Sequence, residues 1–319
     1  MITGSSTALQ IPGSLTSDPG ILRGRPRHGE RVVIGILFLC AALSVVVTIG
    51  IVLSLIPPTV EFFQEVDLGE FLTGTEWAPL FTPPKFGVLP IVAGTLVVTV
   101  CAIAIALPFG LGTAVFLSEY ARPRIRKWLK PMIEVLAGIP TVVYGYFALK
   151  FVSPYVQDLW PIGDPPGVFN ALSAGLVMGI MILPMVASLS EDALAAVPAG
   201  LREGAYALGS SKFEVASRVS VPAALSGIVA AFVLAVSRAV GETMIVLIAA
   251  GGTPNLTWNP GEAMQTMTAF IAAAGTGDLS QGSTGYQTIF AVGSLLFVVT
   301  FFMNVFSNRV VRRFREVYE

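Results

Sequence analysis

The sequence predicts an all-α, polytopic integral membrane protein with six transmembrane helices. Three observations carry this. The 319 residues are 54% hydrophobic and only 12% charged, against about 25% charged in an ordinary soluble domain. Six apolar segments reach the roughly 20 residues that a bilayer crossing needs. The basic residues fall on alternate connections between those segments.

The first segment, 32–56, carries no charge and is too long for the apolar part of a cleaved signal peptide, so it reads as an uncleaved anchor. The second, 88–117, is also uncharged, with Pro108 as an expected kink. The third, 131–153, is interrupted by Glu134, Pro140 and Lys150. The fourth is 168–190, with Pro184 inside it. The fifth, 222–250, holds Arg238 and Glu242, and the sixth is 286–308.

Sixteen of the 19 Lys and Arg residues lie in four places: Arg23, Arg25, Arg27 and Arg31; Arg122, Arg124, Arg126, Lys127 and Lys130; Arg202, Lys212 and Arg218; and Arg309, Arg312, Arg313 and Arg315. Outside the segments the opposite connections hold only Lys85. This alternation predicts a multi-pass protein with both termini in the cytoplasm. The expected organisation is a disordered tail over 1–31, a first helix and outer loop over 32–87, a transmembrane domain over 88–308 with a long cytoplasmic loop at 191–222, and a basic tail over 309–319. The outer loop 57–87 is acidic, and the outer loop 251–285 is rich in Gly and Thr.

The composition also excludes chemistry. One histidine, His28, and two separated cysteines, Cys40 and Cys101, do not make a structural zinc site. No nucleophile–base or metal constellation is present for an enzyme acting in the membrane. A P-loop needs Gly directly before Lys, and the five lysines follow Pro, Arg, Leu, Leu and Ser. No cofactor is expected on this chain.

The fifth segment, "SRAVGETMIVLIAAG", poses the functional question. A charge at the centre of a membrane helix costs about 2.5–3.5 kcal/mol, so such residues face a protein interior or a wet cavity. On a continuous helix Arg238 and Glu242 share one face at i and i+4 and can pair. Two readings follow: a structural strut, or a switchable pair of counter-charges on a path for an anion. In the third segment, Gly138 and Pro140 weaken the helix at mid-depth, which is tolerated beside a cavity. Thr141, Tyr144 and Tyr146 there could offer neutral donors, or simply pack.

The loop "EDALAAVPAGLREGAYALGSSKFEVASRVSVPAA" carries helix punctuation. Pro198 suits a helix start, and Leu201, Ala205 and Leu208 recur at i, i+4 and i+7. Gly209 suits a helix stop, Ser211 with Glu214 forms a capping-box pattern, and Pro222 marks the entry to the fifth segment. The spacing of Glu203-Gly204-Ala205, Gly209 and Val219-x-Val221-Pro222 resembles the EAA loop of ABC-importer permeases, with Gly204, Val219 and Val221 departing from the usual pattern. In that family the loop is a helix that docks on a separate ATPase, a role that falls here on residues 199–214.

"FGVLPIVAGTLVVT", "LSEYA", "EVLAGIPTVVYGYFAL" and "SRAVGETMIVLIAAGG" further resemble the phosphate importer permeases of the PstC type, over about 31–315. The resemblance implies a type I ABC importer permease fold. It implies as partners a sister permease PstA, two copies of the ATPase PstB, which would use the ATP, and an external phosphate-binding protein PstS. The expected setting is the lipid bilayer of a bacterial plasma membrane, and no nucleic acid is expected. It also implies that Arg238 and Glu242 line the translocation path, and Thr141 and Tyr144, at the break in the third segment, are expected to line it with them. The competing readings are a permease for another oxyanion such as molybdate or sulfate, the sister phosphate permease, and a passive anion channel.

Overall fold

A computed structural model describes residues 28–160, 164–277 and 279–313. Most of the N-terminal tail, with Arg23, Arg25 and Arg27, and the end of the C-terminal tail, with Arg315, lie outside the described residues. The chain divides into two units, one ending at Leu53 and one beginning at Ser54. Helix α1, His28–Glu65, contributes to both.

The second unit is almost entirely helical. After α1 come α2 (Leu68–Thr73), a two-stranded antiparallel hairpin of β1 (Trp77–Ala78) and β2 (Lys85–Phe86), and α3 (Leu89–Val115). Then follow α4 (Pro123–Ala137), α5 (Thr141–Phe147), α6 (Ser153–Asp158) and α7 (Ala171–Ala195). Three short helices, α8 (Ala199–Ala207), α9 (Lys212–Val215) and α10 (Val221–Ala223), lead into α11 (Leu225–Val240). The chain closes with α12 (Met267–Gly275) and α13 (Thr284–Arg313). Among the described residues, four helical stretches are long and apolar enough to cross a membrane: Val32–Glu65, Leu89–Tyr120, Ala171–Ala195 and Thr284–Ser307. Two further crossings arise if the bent pairs Pro123–Ala137 with Thr141–Asp158 and Lys212–Ala223 with Leu225–Val240 each count as one span, which gives the expected six.

The core is the α3–α7 pair. Both helices are apolar all round, and small residues let them approach closely, as expected where lipid removes most of the hydrophobic drive for helix association. A Cβ added at Gly175 would lie 2.4 Å from Cys101 Cβ, and one at Gly179 would lie 2.8 Å from the Ala102 carbonyl oxygen. Ala102, Ala106, Ala174, Val177, Met178 and Ile182 are fully buried around this seam.

Three features differ from the sequence expectation, each for a local reason. Helix α1 does not end near residue 56 but runs through Pro57 and Pro58 to Glu65. Its last turns carry Phe62 into a cluster of edge-to-face rings with Phe71 (5.6 Å) and Phe86 (5.5 Å), and this packing overrides helix propensity. The third segment is two helices bent by 86°. Pro140 disfavours the helical conformation for the residue before it, and Gly138 caps α4. The fifth segment is broken twice, by a 72° bend at Ala224 and by a stop at Gly241.

The seam between α3 and α7 generates a test. Gly175→Val should lower the melting temperature in detergent, consistent with an overpacking cost of about 1–3 kcal/mol. Gly112→Ala, where an added Cβ meets nothing within 4 Å, should leave it unchanged.

Candidate translocation site and the 191–222 loop

The GET break sits where α11 ends. Gly241 donates its N–H back to the Ser237 carbonyl at 3.3 Å, and the helical path stops there. Glu242 then turns inward and is buried. Its Oε1 accepts from the Met244 N–H at 3.0 Å and the Ile245 N–H at 3.3 Å, the free donors at the start of the next helical turns. Those turns continue as a π-helical stretch, Val246–Ala250, ended by Gly251 at φ +100°. The Glu242 carbonyl accepts from the Thr268 hydroxyl at 2.6 Å.

Thr268 belongs to α12, which folds back against the core. Thr266 caps it by accepting from the Ala269 N–H, and the Met267 N–H donates to Thr95 Oγ1 of α3 at 3.0 Å. Residues 251–285 are therefore not simply an outer loop. The apolar run "MTAFIAAAG" behind a threonine cap was the available signal, and it is too short to register as a span.

Arg238 is left apart from Glu242. It lies in the last turn of α11 on an exposed face, with its guanidinium 3.7 Å from the Met181 sulfur. Among the described residues it makes no ion pair. The i, i+4 pair expected from a continuous helix does not form, because the helix stops between the two residues. The strut reading thereby loses its bond. The helix C-terminus, with its partial negative charge, favours a cation at Arg238.

The third segment divides the other expected residues. Thr141 opens α5 and is half-buried. Tyr144 is buried, and its hydroxyl donates to the Leu136 carbonyl at 2.8 Å, across the Gly138–Pro140 break. It stitches the break from the inside. Tyr146 is exposed, together with Val143.

The loop at 191–222 follows its sequence punctuation closely. Pro198 precedes α8, and Gly209 sits at φ +84°, the left-handed conformation that ends it. Ser211 and Glu214 form the capping box of α9. Pro222 lies in the short α10. Glu203 and Gly204 are exposed, Ala205 is half-buried, and no residue of α8 is buried. Leu208 is 89% exposed, and Phe213 and Leu201 are exposed beside it.

Sequence reasoning missed the ion pairs around this loop. Glu191, fully buried, is bound by Arg126 and by Lys130, the latter at 2.6 Å. Lys130 also meets Asp192 at 2.8 Å, and Arg202 meets Glu119 at 3.2 Å. The basic residues of 122–130 counted only as topology signals, and nothing in the spacing shows that two of them fold back onto α7.

The family described as the binding-protein-dependent transport system inner membrane component matches residues 106–316, across the seam, the broken fifth segment and the loop. The chain belongs to that family. It is an ABC importer permease, the multi-pass inner-membrane component of a binding-protein-dependent transport system. A probable ABC transporter permease, YqgH of Bacillus subtilis, is 36% identical over 265 residues, covering 82% of this chain and 84% of that protein. The phosphate transport system permease PstC of Mesorhizobium japonicum is 33% identical, with 76% and 78% covered. PstC 1 of Mycobacterium tuberculosis is 34% identical, with 76% and 81% covered. A solved bacterial alginate ABC transporter shares the fold at a TM-score of 0.63 and 16% identity, covering 89% of this permease and 95% of that chain. The inward-facing MetNI methionine transporter does so at 0.52 and 20%, with 72% and 95% covered.

The break in the permease's fifth segment yields a prediction. Glu242→Ala should destabilise the subunit by about 2 kcal/mol, the scale of a hydrogen bond to a charged group. Glu242→Gln, which keeps the acceptor oxygen, should cost less. Thermal unfolding in detergent checks both.

Proposed function

We propose that the chain is a phosphate permease of the PstC type. In this reading it pairs with a sister permease PstA, two copies of the ATPase PstB, which use the ATP, and an external binding protein PstS. Its termini are cytoplasmic, in a bacterial plasma membrane. The observation that carries the reading is Arg238: a guanidinium on an exposed face of a membrane helix, with no carboxylate partner among the described residues. The relatives named PstC support the choice of anion.

Phosphate carries one to two negative charges near neutral pH, and the guanidinium fork matches its oxygens. A lone arginine would hold the anion too tightly to release it. Glu242, four residues on, places a negative charge beyond the helix end and limits that attraction. Its carboxylate is held by two N–H groups. In this reading it is a fixed counter-charge, and Thr141 offers a neutral hydroxyl near the start of α5. An importer for molybdate or sulfate would use the same guanidinium, so the relatives' names carry the preference for phosphate.

The loop supports the partner assignment. Residues 199–214 form the helix, stop and capped second helix of an ATPase-docking element. The unburied apolar side chains Leu201, Leu208 and Phe213 are suited to a groove on another protein. Glu203, Gly204, Ala205, Gly209 and Pro222 are its framework.

Two tests follow. In proteoliposomes holding all partners, labelled phosphate should be imported with ATP, and excess sulfate or molybdate should compete weakly. Strong competition by either would reassign the substrate. Arg238→Gln should reach the membrane and assemble at parental levels, because it orphans no partner charge, yet import at least ten-fold less. Near-normal import at matched levels would remove Arg238 from the path.

The loop is tested separately. Glu203→Lys or Gly209→Asp should leave the chain in the membrane and loosen the ATPase, read as ATPase lost on co-purification. Leu208→Cys should resist an impermeant thiol reagent in intact cells and react in inverted vesicles. Labelling from outside would reverse the orientation.

A further inference from the structure

Arg202 stands directly before Glu203 on α8, but its side chain leaves that helix. Its Nε lies 3.2 Å from Glu119 Oε1, in the π-helical turn Phe116–Tyr120 that continues α3, an ion pair with no hydrogen bond to that oxygen. A terminal nitrogen donates to the Leu194 carbonyl in the last turn of α7. Its Nε also approaches Ser220 Oγ at 3.4 Å, at the entry to α10. One side chain therefore joins α8 to the ends of α3 and α7 and to the start of the fifth segment.

The contact is well protected. The Glu119 side chain is 5% exposed and that of Arg202 is 22% exposed. Leu194 offers one of the last carbonyls of α7, which also accepts from the Val197 N–H at 3.2 Å. The planar guanidinium donates to the Leu194 carbonyl and the Ser220 hydroxyl while its charge lies beside the Glu119 carboxylate, and a lysine ammonium lacks that fixed fork. Among the described residues, the side-chain hydrogen bonds and the ion pair of α8 all run through Arg202. The turn that Arg202 grips is pinned on its other side, where Arg126 and Lys130 of α4 hold Glu191 and Asp192. Helix α4 leads in turn to the break before α5, stitched by Tyr144.

We infer that Arg202 is a positioning residue that delivers movement of α8 to the α3–α7 pair by gripping Glu119 and the Leu194 carbonyl at once. The inference rests on the reading of α8 as the ATPase-docking element. Helices α3 and α7 are close-packed along their seam, so a displacement at their ends moves the pair as a body rather than being absorbed locally. Loss of the grip leaves α8 able to hold an ATPase but unable to pass its movement on.

The test uses the full complex of permeases and ATPase in proteoliposomes. The double variant Glu119→Leu with Arg202→Met removes the pair without leaving a charge unpaired, a replacement that proteins often tolerate. It should retain the ATPase on purification, while stimulation of ATP hydrolysis by the loaded binding protein falls at least five-fold. Parental stimulation in this variant would overturn the inference and leave the pair as local structure. Arg202→Lys covers the case in which the double variant fails to reach the membrane. It keeps the charge beside Glu119 but cannot grip both partners, and stimulation should fall at least two-fold. Unchanged stimulation there also overturns the inference. Failure of the parent chain to retain the ATPase would instead sink the docking reading of α8, a result distinct from either.

Discussion

Every backbone N–H and C=O inside a bilayer has to find its partner within the protein. That constraint explains the polar side chains of this permease better than any single charge does. At the breaks before α5 and after α11, a side chain repairs the ends. The Tyr144 hydroxyl takes the Leu136 carbonyl across the Gly138–Pro140 break. The Glu242 carboxylate takes two N–H groups after the Gly241 stop, and Thr268 takes the Glu242 carbonyl. Asn170 repeats the device at the start of α7, accepting from the Ser173 N–H. Glu242 is thus a structural group that holds the two N–H donors after the break.

The end of the bundle that carries the 191–222 loop solves a different problem. There, charge is arranged in pairs around the last turn of α7, with cations from α4 on one side and Arg202 of α8 on the other. A buried glutamate such as Glu191 is costly unless several donors reach it. The basic cluster of 122–130 therefore serves two physical ends: it marks topology, and it neutralises α7. Arg238 contrasts with this arrangement. It is set on an exposed face beside a sulfur rather than a carboxylate.

Much of this was legible in the sequence. Span count and the helix–stop–capped-helix form of the loop came from apolar run length, Pro198, Gly209 and the Ser211–Glu214 spacing. These signals are local, and local rules decided them. The Arg238–Glu242 geometry was not legible, because the i, i+4 argument assumes a continuous helix. Whether a helix survives at Gly241 depends on Thr268, which arrives from α12. The same holds for α1 beyond Pro57, where Phe62 answers to rings remote in sequence. Tyr144 was visible as a polar group at a break, but its inward orientation was not. In each case the deciding partner lay far along the chain.

The aromatic cap at the other end of the second unit has a consequence for synthesis. It joins Phe62, Phe71, Trp77 and Phe86 to Phe270, with Trp77 and Phe270 4.9 Å apart. Thr59 and Glu61, from the end of α1, bond to Ser294 and Gln287 of α13. Translation proceeds at about 5–20 residues per second, so the early half of this cap waits roughly 10–40 s for its later half. During that interval Trp77 lacks the Phe270 ring, although Phe62, Phe71 and Phe86 already have one another. The newborn chain is thus most exposed to proteases and to mispairing before its last two membrane helices emerge, and closure of the cap marks the moment when the subunit becomes a finished object.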